Sequence, residues 1–402
     1  MTAFTRRRFL AAASAASVGA AAGCAVPGSG AARDSGGGGD GADRSSSGDT
    51  GPDSDRDPES DTSSEPDESA VPTATPARDP TTSLPTADRT LPLPMSPGEL
   101  TSEAQSGGPP KDGIPAIDDP SFVDAGDVDF LAPGDPVFGV ARGDTVKAYP
   151  QKILVQHEIT NDTVDGTPVA VTYCPLTGTA QGFERGDTTL GVSGRLINNN
   201  LVMYDRATET WWPQILATAI PGPWNEDPPT ASLREFRLVW TTWLEWTDQY
   251  PETRALSTDT GYARNYTRDP YGSYNPREGY YANGRTLFPS LGDDDRYQAK
   301  RVFLGARTPD GAVAFDENAL LDAGTMAGEL GGTPVVAVAD PRLSTGYVYL
   351  NPDGREFSLV DAEVRGADGT YAPDDLPLTR VHAFDAMWFA WSGYYPDTNV
   401  YA

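Results

Sequence analysis

The chain has 402 residues, with 30 Lys and Arg against 58 Asp and Glu, and a formal net charge of −28. That balance leaves no basic stripe for a phosphate backbone and argues against nucleic acid as a partner. No run of about 20 apolar residues is present to cross a bilayer. Two cysteines exclude a disulfide-rich scaffold and a four-cysteine zinc site.

Only four lysines occur, Lys111, Lys147, Lys152 and Lys300. A surface this acidic repels itself unless salt screens it, over about 3 Å at 1 M. The composition therefore reads as an adaptation to high salt, with an ordinary acidic secreted protein as the alternative.

At the N-terminus, Thr5-Arg6-Arg7-Arg8-Phe9-Leu10 resembles a twin-arginine export signal built on Arg6 and Arg7. The Ala-rich stretch Ala11 to Ala22 is too short to span a membrane. Ala21-Ala22-Gly23-Cys24 resembles a lipoprotein box, which makes residues 1–23 the signal peptide and Cys24 the lipidation site. The expected location is the outer face of the cell membrane, held by that lipid. Residues 24–110 are Ser, Gly, Asp, Pro and Thr, with Gly36 to Gly39 and an acidic run from Asp53 to Asp61. Such a segment buries too little apolar area to offset its ordering entropy and reads as a disordered tether. The folded domain is expected over 111–402.

Strands are predicted at Pro136 to Ala141 and Thr145 to Tyr149, joined by the Gly143-Asp144 turn. Others follow at Val169 to Tyr173, Leu201 to Tyr204, Arg301 to Gly305, Val335 to Val338 and Gly346 to Leu350. Asp310-Gly311 and Asp353-Gly354 mark two more hairpins. Helices are predicted after Pro150, over Thr241 to Gln249 and over Asp316 to Asp322. A last one carries Phe384, Met387, Trp388 and Trp391 on one face. No βαβ rhythm and no internal repeat is read. The fold class is α+β, predominantly β, with antiparallel strands and a few short helices.

With Cys24 lipidated, Cys174 is the one free thiol. It ends a strand in Val169-Ala-Val-Thr-Tyr-Cys-Pro-Leu-Thr-Gly178, where turn N–H groups favour thiolate. It is either a reactive thiol or a buried inert one. His157, in Gln156-His157-Glu158, is the candidate ion-pair or general-base partner, with Glu158 and Thr177 in support. The alternative for His157 is a ring satisfied by backbone groups. With two histidines in the chain, a three-histidine metal site cannot form. No spacing demands a mixed site from His157, Glu158, Asp162 and Cys174, and no cofactor is implied. A third cluster, Arg195, Tyr204, Asp205, Arg206, Trp212 and Gln214, together with Asn198, Asn199, Asn200, Thr208 and Trp211, is either a tryptophan-rimmed ligand groove or a core hairpin. Asn161-Asp162-Thr163 and Asn265-Tyr266-Thr267 match glycosylation sequons.

Several segments occur in a recognisable order: Asp112 to Pro120, Ala148-Tyr-Pro150, His157 to Asp162, Tyr173-Cys-Pro-Leu-Thr-Gly178, Ser193-Gly-Arg195, Leu201 to Arg206, Trp212-Pro-Gln214 and Trp388-Phe-Ala-Trp391. Over residues 112–402 the chain resembles the family called domain of unknown function 3179, here as an exported lipoprotein of haloarchaeal type. The resemblance implies no reaction. It does imply selenoprotein members, with the Cys174-Pro-Leu-Thr177 site as the place for selenium chemistry. The leading reading is an exported, lipid-anchored thiol redox protein or enzyme. Cys174 would form sulfenic acid or a mixed disulfide, resolved by an external thiol reductant. The alternative is a non-catalytic surface module that binds an extracellular ligand in a tryptophan-rimmed groove.

Overall fold

A computed structural model describes residues 84–402. The export signal, Cys24 and most of the tether lie outside those residues. The fold is α+β and predominantly β, as the sequence predicts.

The first half begins with the hairpin β1 (Pro136–Arg142) and β2 (Thr145–Pro150), then α1 (Gln151–His157). A meander follows: β3 (Ile159–Val164), β4 (Thr167–Cys174) and β5 (Thr179–Glu184). After an insertion, β8 (Glu235–Phe236) pairs with the edge of β5, and β9 (Val239–Thr242) pairs with β1. The insertion carries β6 (Leu190–Ile197) and β7 (Asn200–Asp205). Helix α2 (Trp243–Gln249) leads to β10 (Arg254–Leu256), which runs parallel to β2.

The second half repeats this order. It comprises the hairpin β11 (Val302–Thr308) and β12 (Gly311–Asp316), α3 (Glu317–Ala323), and the meander β13 (Thr325–Leu330), β14 (Thr333–Asp340) and β15 (Thr345–Leu350). Then come β16 (Arg380–Val381), β17 (Ala383–Met387), α4 (Trp388–Tyr394) and β18 (Asn399–Tyr401), the last parallel to β12. The pairing registers coincide. Cys174 faces Thr179 as Asp340 faces Thr345, and Gly139 faces Ala148 as Gly305 faces Ala314. From Pro136 to Glu184 each residue has its counterpart 166 positions later.

The chain is therefore an internal duplication, which overturns the expectation of no repeat. Each half also contains a βαβ crossover, because β9 and β10, like β17 and β18, run parallel within one sheet. One packing device recurs as well. Trp246 of α2 lies flat on Gly139 and Trp391 of α4 lies flat on Gly305, leaving no room for a Cβ. Their indole N–H groups donate to Thr253 and Thr398 at 2.9 and 3.1 Å.

The halves clasp each other reciprocally. The turn after β14 places Leu343 against Trp243 and Trp246 of the first half. The turn after β4 accepts the Met387 N–H of the second half on the Thr177 carbonyl at 2.9 Å. A buried ion pair, Arg307 to Glu235 at 2.7 Å, joins β11 to β8.

Three boundaries differ from expectation. Packing begins before 111, because Ser96 caps a helix at Pro97–Ser102, Leu100 is fully buried, and Gln105–Ser106 pairs with β6. The Asp353-Gly354 turn joins no hairpin, since β15 and the strand Phe357–Val360 have other partners. Phe384 and Met387 lie in β17, and the helix starts only at Trp388.

Candidate functional site

Cys174 is the last residue of β4, in the turn that reaches the other half, and is 1% exposed. Its Sγ donates weakly to the Asn199 carbonyl at 3.5 Å. Asn199 and its neighbours hold that wall in place. The Asn198 amide donates to the Ala390 carbonyl at 2.9 Å, the Asn199 amide to the Phe288 carbonyl at 2.9 Å, and Asn200 to Gln214 at 2.9 Å. The residues after β10, up to β11, supply the other wall. In this long segment the strands span only two residues each. It brings Tyr271 and Tyr280 to the thiol, with the Tyr280 hydroxyl donating to the Leu176 carbonyl at 2.7 Å. A long excursion with so little regular structure is uncommon outside functional covers.

His157 is fully buried, and both ring nitrogens are engaged away from the thiol. Nδ1 donates to the Pro115 carbonyl at 2.7 Å, and Nε2 accepts from the Tyr266 hydroxyl at 2.7 Å. Burial lowers its pKa, with the Pro115 carbonyl acting the other way. The ring is a neutral strut between two loops, the second of the two sequence readings. The structure does not bring it to Cys174 as an ion-pair partner.

The carboxyl that bears on the thiol is Glu158. It caps α1 at φ 59°, in the left-handed region. Its counterpart is Gly324, at φ 77° after α3. Glycine is the usual residue there because it has no Cβ to clash. A glutamate in that conformation costs of order 1 kcal/mol or more. Glu158 is also 7% exposed, and its carboxyl has no hydrogen-bond or ion-pair partner among the described residues. Burial pushes it up to about 8. Burial, and then the Glu158 charge, push the Cys174 thiol up to about 11. The Thr177 hydroxyl and the N–H groups of Leu201 and Thr177 favour the thiolate, but desolvation outweighs them. At neutral pH thiol and carboxyl both hold their protons.

Thr177 is fully buried and belongs to a polar lattice beneath the site. Its hydroxyl meets Thr179 at 2.7 Å and accepts from Asn200 at 3.1 Å. Thr179 donates to Gln214 at 2.7 Å, and Gln214 to Thr172 at 2.9 Å. Satisfied networks of this kind fix geometry.

The six residues of the expected groove do not line one. Gln214 is in that lattice. Asp205 is fully buried and caps its own turn, accepting from the Thr208 N–H at 2.6 Å and the Trp212 indole at 3.0 Å. Trp211 and Trp212 are buried. Arg195 is exposed beside a bulge in β6. Tyr204 and Arg206 form a separate cluster, with Tyr204 donating to Asp112 and Arg206 to Asp118 at 2.6 Å. These contacts are of the kind that the core-hairpin alternative describes. Of the two sequons, Asn161 is buried with its amide on Asp118 and Leu190, while Asn265 is exposed. No group of three or more His, Cys, Asp and Glu is placed to hold a metal among the described residues.

A family model matches residues 111–398. The chain belongs to the family described as "Protein of unknown function (DUF3179)". No curated protein and no solved structure matches it. Within this DUF3179 domain the two halves act as controls for each other. Where the first has Glu158 and Cys174, the second has Gly324 and Asp340, and Asp340 is paired with Arg342 at 3.0 Å. The strained, unpartnered pair occurs only in the half covered by the tyrosines. Sequence reading did not find Tyr271 and Tyr280, since nothing local links them to residues about a hundred positions away.

Proposed function

We propose that this DUF3179 domain is a thiol redox protein or enzyme in which Cys174 reacts and Glu158, rather than His157, takes its proton. The observation that carries this is the Glu158–Cys174 pair itself. An unpartnered buried carboxyl and a left-handed glutamate are both costly, and the duplicate half dispenses with them. The chemistry suited to the pair is attack on a peroxide. The Sγ–O bond forms and the O–O bond breaks. The thiol proton passes to Glu158 and then to the departing oxygen, leaving sulfenic acid and water or an alcohol. An external thiol reduces the sulfenic acid, since with Cys24 lipidated the chain has no second free thiol to do so. Both groups are protonated in the closed form, so reaction follows opening of the tyrosine cover.

The test is peroxide treatment of the folded protein, with dimedone trapping read by mass spectrometry. Wild type should give the Cys174 adduct, and Glu158→Gln should give at least about tenfold less at pH 8. No adduct on the folded chain, or an equal yield from both, overturns the reading.

We further propose that Cys24 holds the domain to the outer membrane face in a salt-rich medium. Cys24→Ser should release it to the medium, and retention of that variant would sink the idea.

A further inference from the structure

Three of the four lysines stand in ion pairs: Lys111 with Glu209 at 2.6 Å, Lys147 with Asp162 at 2.7 Å and Lys152 with Asp135 at 2.5 Å. Lys300 is the exception, although it is 6% exposed. Its ammonium donates to the Tyr280 carbonyl at 2.5 Å and to Asn283 Oδ1 at 3.2 Å, both neutral, and stands 3.1 Å over the Tyr280 ring. Burial lowers it to about 8. A buried ammonium without a counter-charge is costly, and a ligand anion would offset that cost.

Lys300 lines an open groove of about 1100 Å³ with Arg277, Arg301, Gln298, Glu317 and Asn318. Arg301 is neutralised by Asp316. Arg277 donates to the Lys300 carbonyl at 3.1 Å and the Tyr274 hydroxyl at 3.3 Å, and has no carboxylate partner among the described residues. Glu317 is the one acid of the lining, and burial followed by repulsion from Asp385 raises its pKa. On a chain of net charge −28, this groove holds two cations that have no ion pair among the described residues, with Arg277 opposing the rise of the Glu317 carboxyl. Arg277 offers a planar fork and Lys300 a point charge, the usual complement of a carboxylate or phosphate. The volume is at the upper end for a small-molecule site and far exceeds a bare ion. The Gln298 and Asn318 amides flank the cations with uncommitted donors and acceptors.

We propose that this groove binds a small hydroxyl-bearing oxyanion, a sugar acid or sugar phosphate, its anionic group between Lys300 and Arg277 and its hydroxyls on Gln298 and Asn318. The groove does not contain Cys174, although Tyr280, which Lys300 contacts, also covers the thiol, and the proposal stands whether or not the thiol reacts. Calorimetry on the full chain with glucuronate, glucose 6-phosphate, glucose and inorganic phosphate tests it. At least one sugar anion should bind at about 10 mM or below, and glucose should not. Lys300→Met and Arg277→Gln should each weaken binding about tenfold or more with the melting temperature kept. Failure of both sugar anions to bind overturns the proposal. So does inorganic phosphate binding as tightly as the sugar phosphate, or affinity indifferent to both variants. Should Lys300→Met fail to fold, wild type suffices. The bound sugar anion should slow acylation of Lys300 at least about fivefold while leaving Lys152 unchanged. Equal labelling with and without it would count against the site.

Discussion

Glu158 and Gly324 occupy the same left-handed position, 166 residues apart, at the ends of equivalent helices. The second half fills that position with the residue that fits it. The first fills it with a carboxyl that is strained, buried and beside a thiol. Glu158→Gly should therefore stabilise the fold by about 1–3 kcal/mol, through relief of backbone strain and of carboxyl burial. Removing the charge should also bring the Cys174 thiol down from about 11. Urea midpoints and the pH dependence of iodoacetamide labelling read the two effects. A variant no more stable than wild type would show that Glu158 carries no stored cost.

The same carboxyl sets a pH dependence of stability. A free glutamate titrates near 4.5, and burial in the fold pushes Glu158 up to about 8. The folded state therefore binds more protons in between, so the contribution is fully present below about 4.5 and is lost as pH rises through about 8. Wild type should lose a few kcal/mol over that interval relative to Glu158→Gln. Urea unfolding at several pH values in constant salt gives both curves, and parallel curves would reject the assignment. Above about pH 9 a further loss should set in, because the thiol then ionises in the unfolded chain while burial keeps Cys174 protonated up to about 11 in the fold, and Cys174→Ala should remove it.

Much of the fold was legible in the sequence. Both β1–β2 and β11–β12 were marked by apolar runs on either side of Gly143-Asp144 and Asp310-Gly311. The duplication was written there too, but sparsely. Gly166-Thr-Pro-Val169 recurs as Gly332-Thr-Pro-Val335. Trp243-x-x-Trp246-x-x-x-Tyr250-Pro-x-Thr253 recurs as Trp388-x-x-Trp391-x-x-x-Tyr395-Pro-x-Thr398. Between these anchors the repeats keep only apolar character, which packing tolerates, and an eye searching for identity passes over them. The site was half legible. Cys174 and Glu158 were singled out, but His157 was read as the partner of the thiol, because the bond that turns its ring away comes from Tyr266, 109 residues away. The aromatic pattern promised a tryptophan-rimmed groove, yet Trp211 and Trp212 are core residues held by tertiary contacts that no local spacing encodes.

His157 offers a way to separate fold from chemistry. Its ring joins Pro115 to Tyr266, and Tyr266 meets the Thr260 hydroxyl at 2.5 Å. His157→Ala removes two hydrogen bonds, leaving the part-buried Pro115 carbonyl unpaired and the Tyr266 hydroxyl with Thr260 alone, at a cost of about 1–3 kcal/mol. The labelling pKa of Cys174 should stay where it is, since Glu158 and burial set it. A downward or upward move of that pKa, measured where the variant remains folded, would return His157 to the thiol site.

The clasp between the halves makes the last prediction. Arg307 is fully buried on β11, and its only carboxylate partner among the described residues is Glu235 on β8 of the other half, at 2.7 Å. His382 lies 3.5 Å from the same carboxylate, and burial pushes it down to about 4, so it adds no charge at neutral pH. Glu235→Ala would strand a buried guanidinium without a counter-charge, and should cost about 3–5 kcal/mol. Replacing both partners by apolar residues of similar size, Glu235→Leu with Arg307→Met, should restore most of that loss, because the desolvation penalty disappears along with the attraction. The interaction energy from the double-mutant cycle should therefore be large and favourable. Additive single effects would mean that Arg307 finds another partner when Glu235 is removed, and that this ion pair does not hold the two halves together.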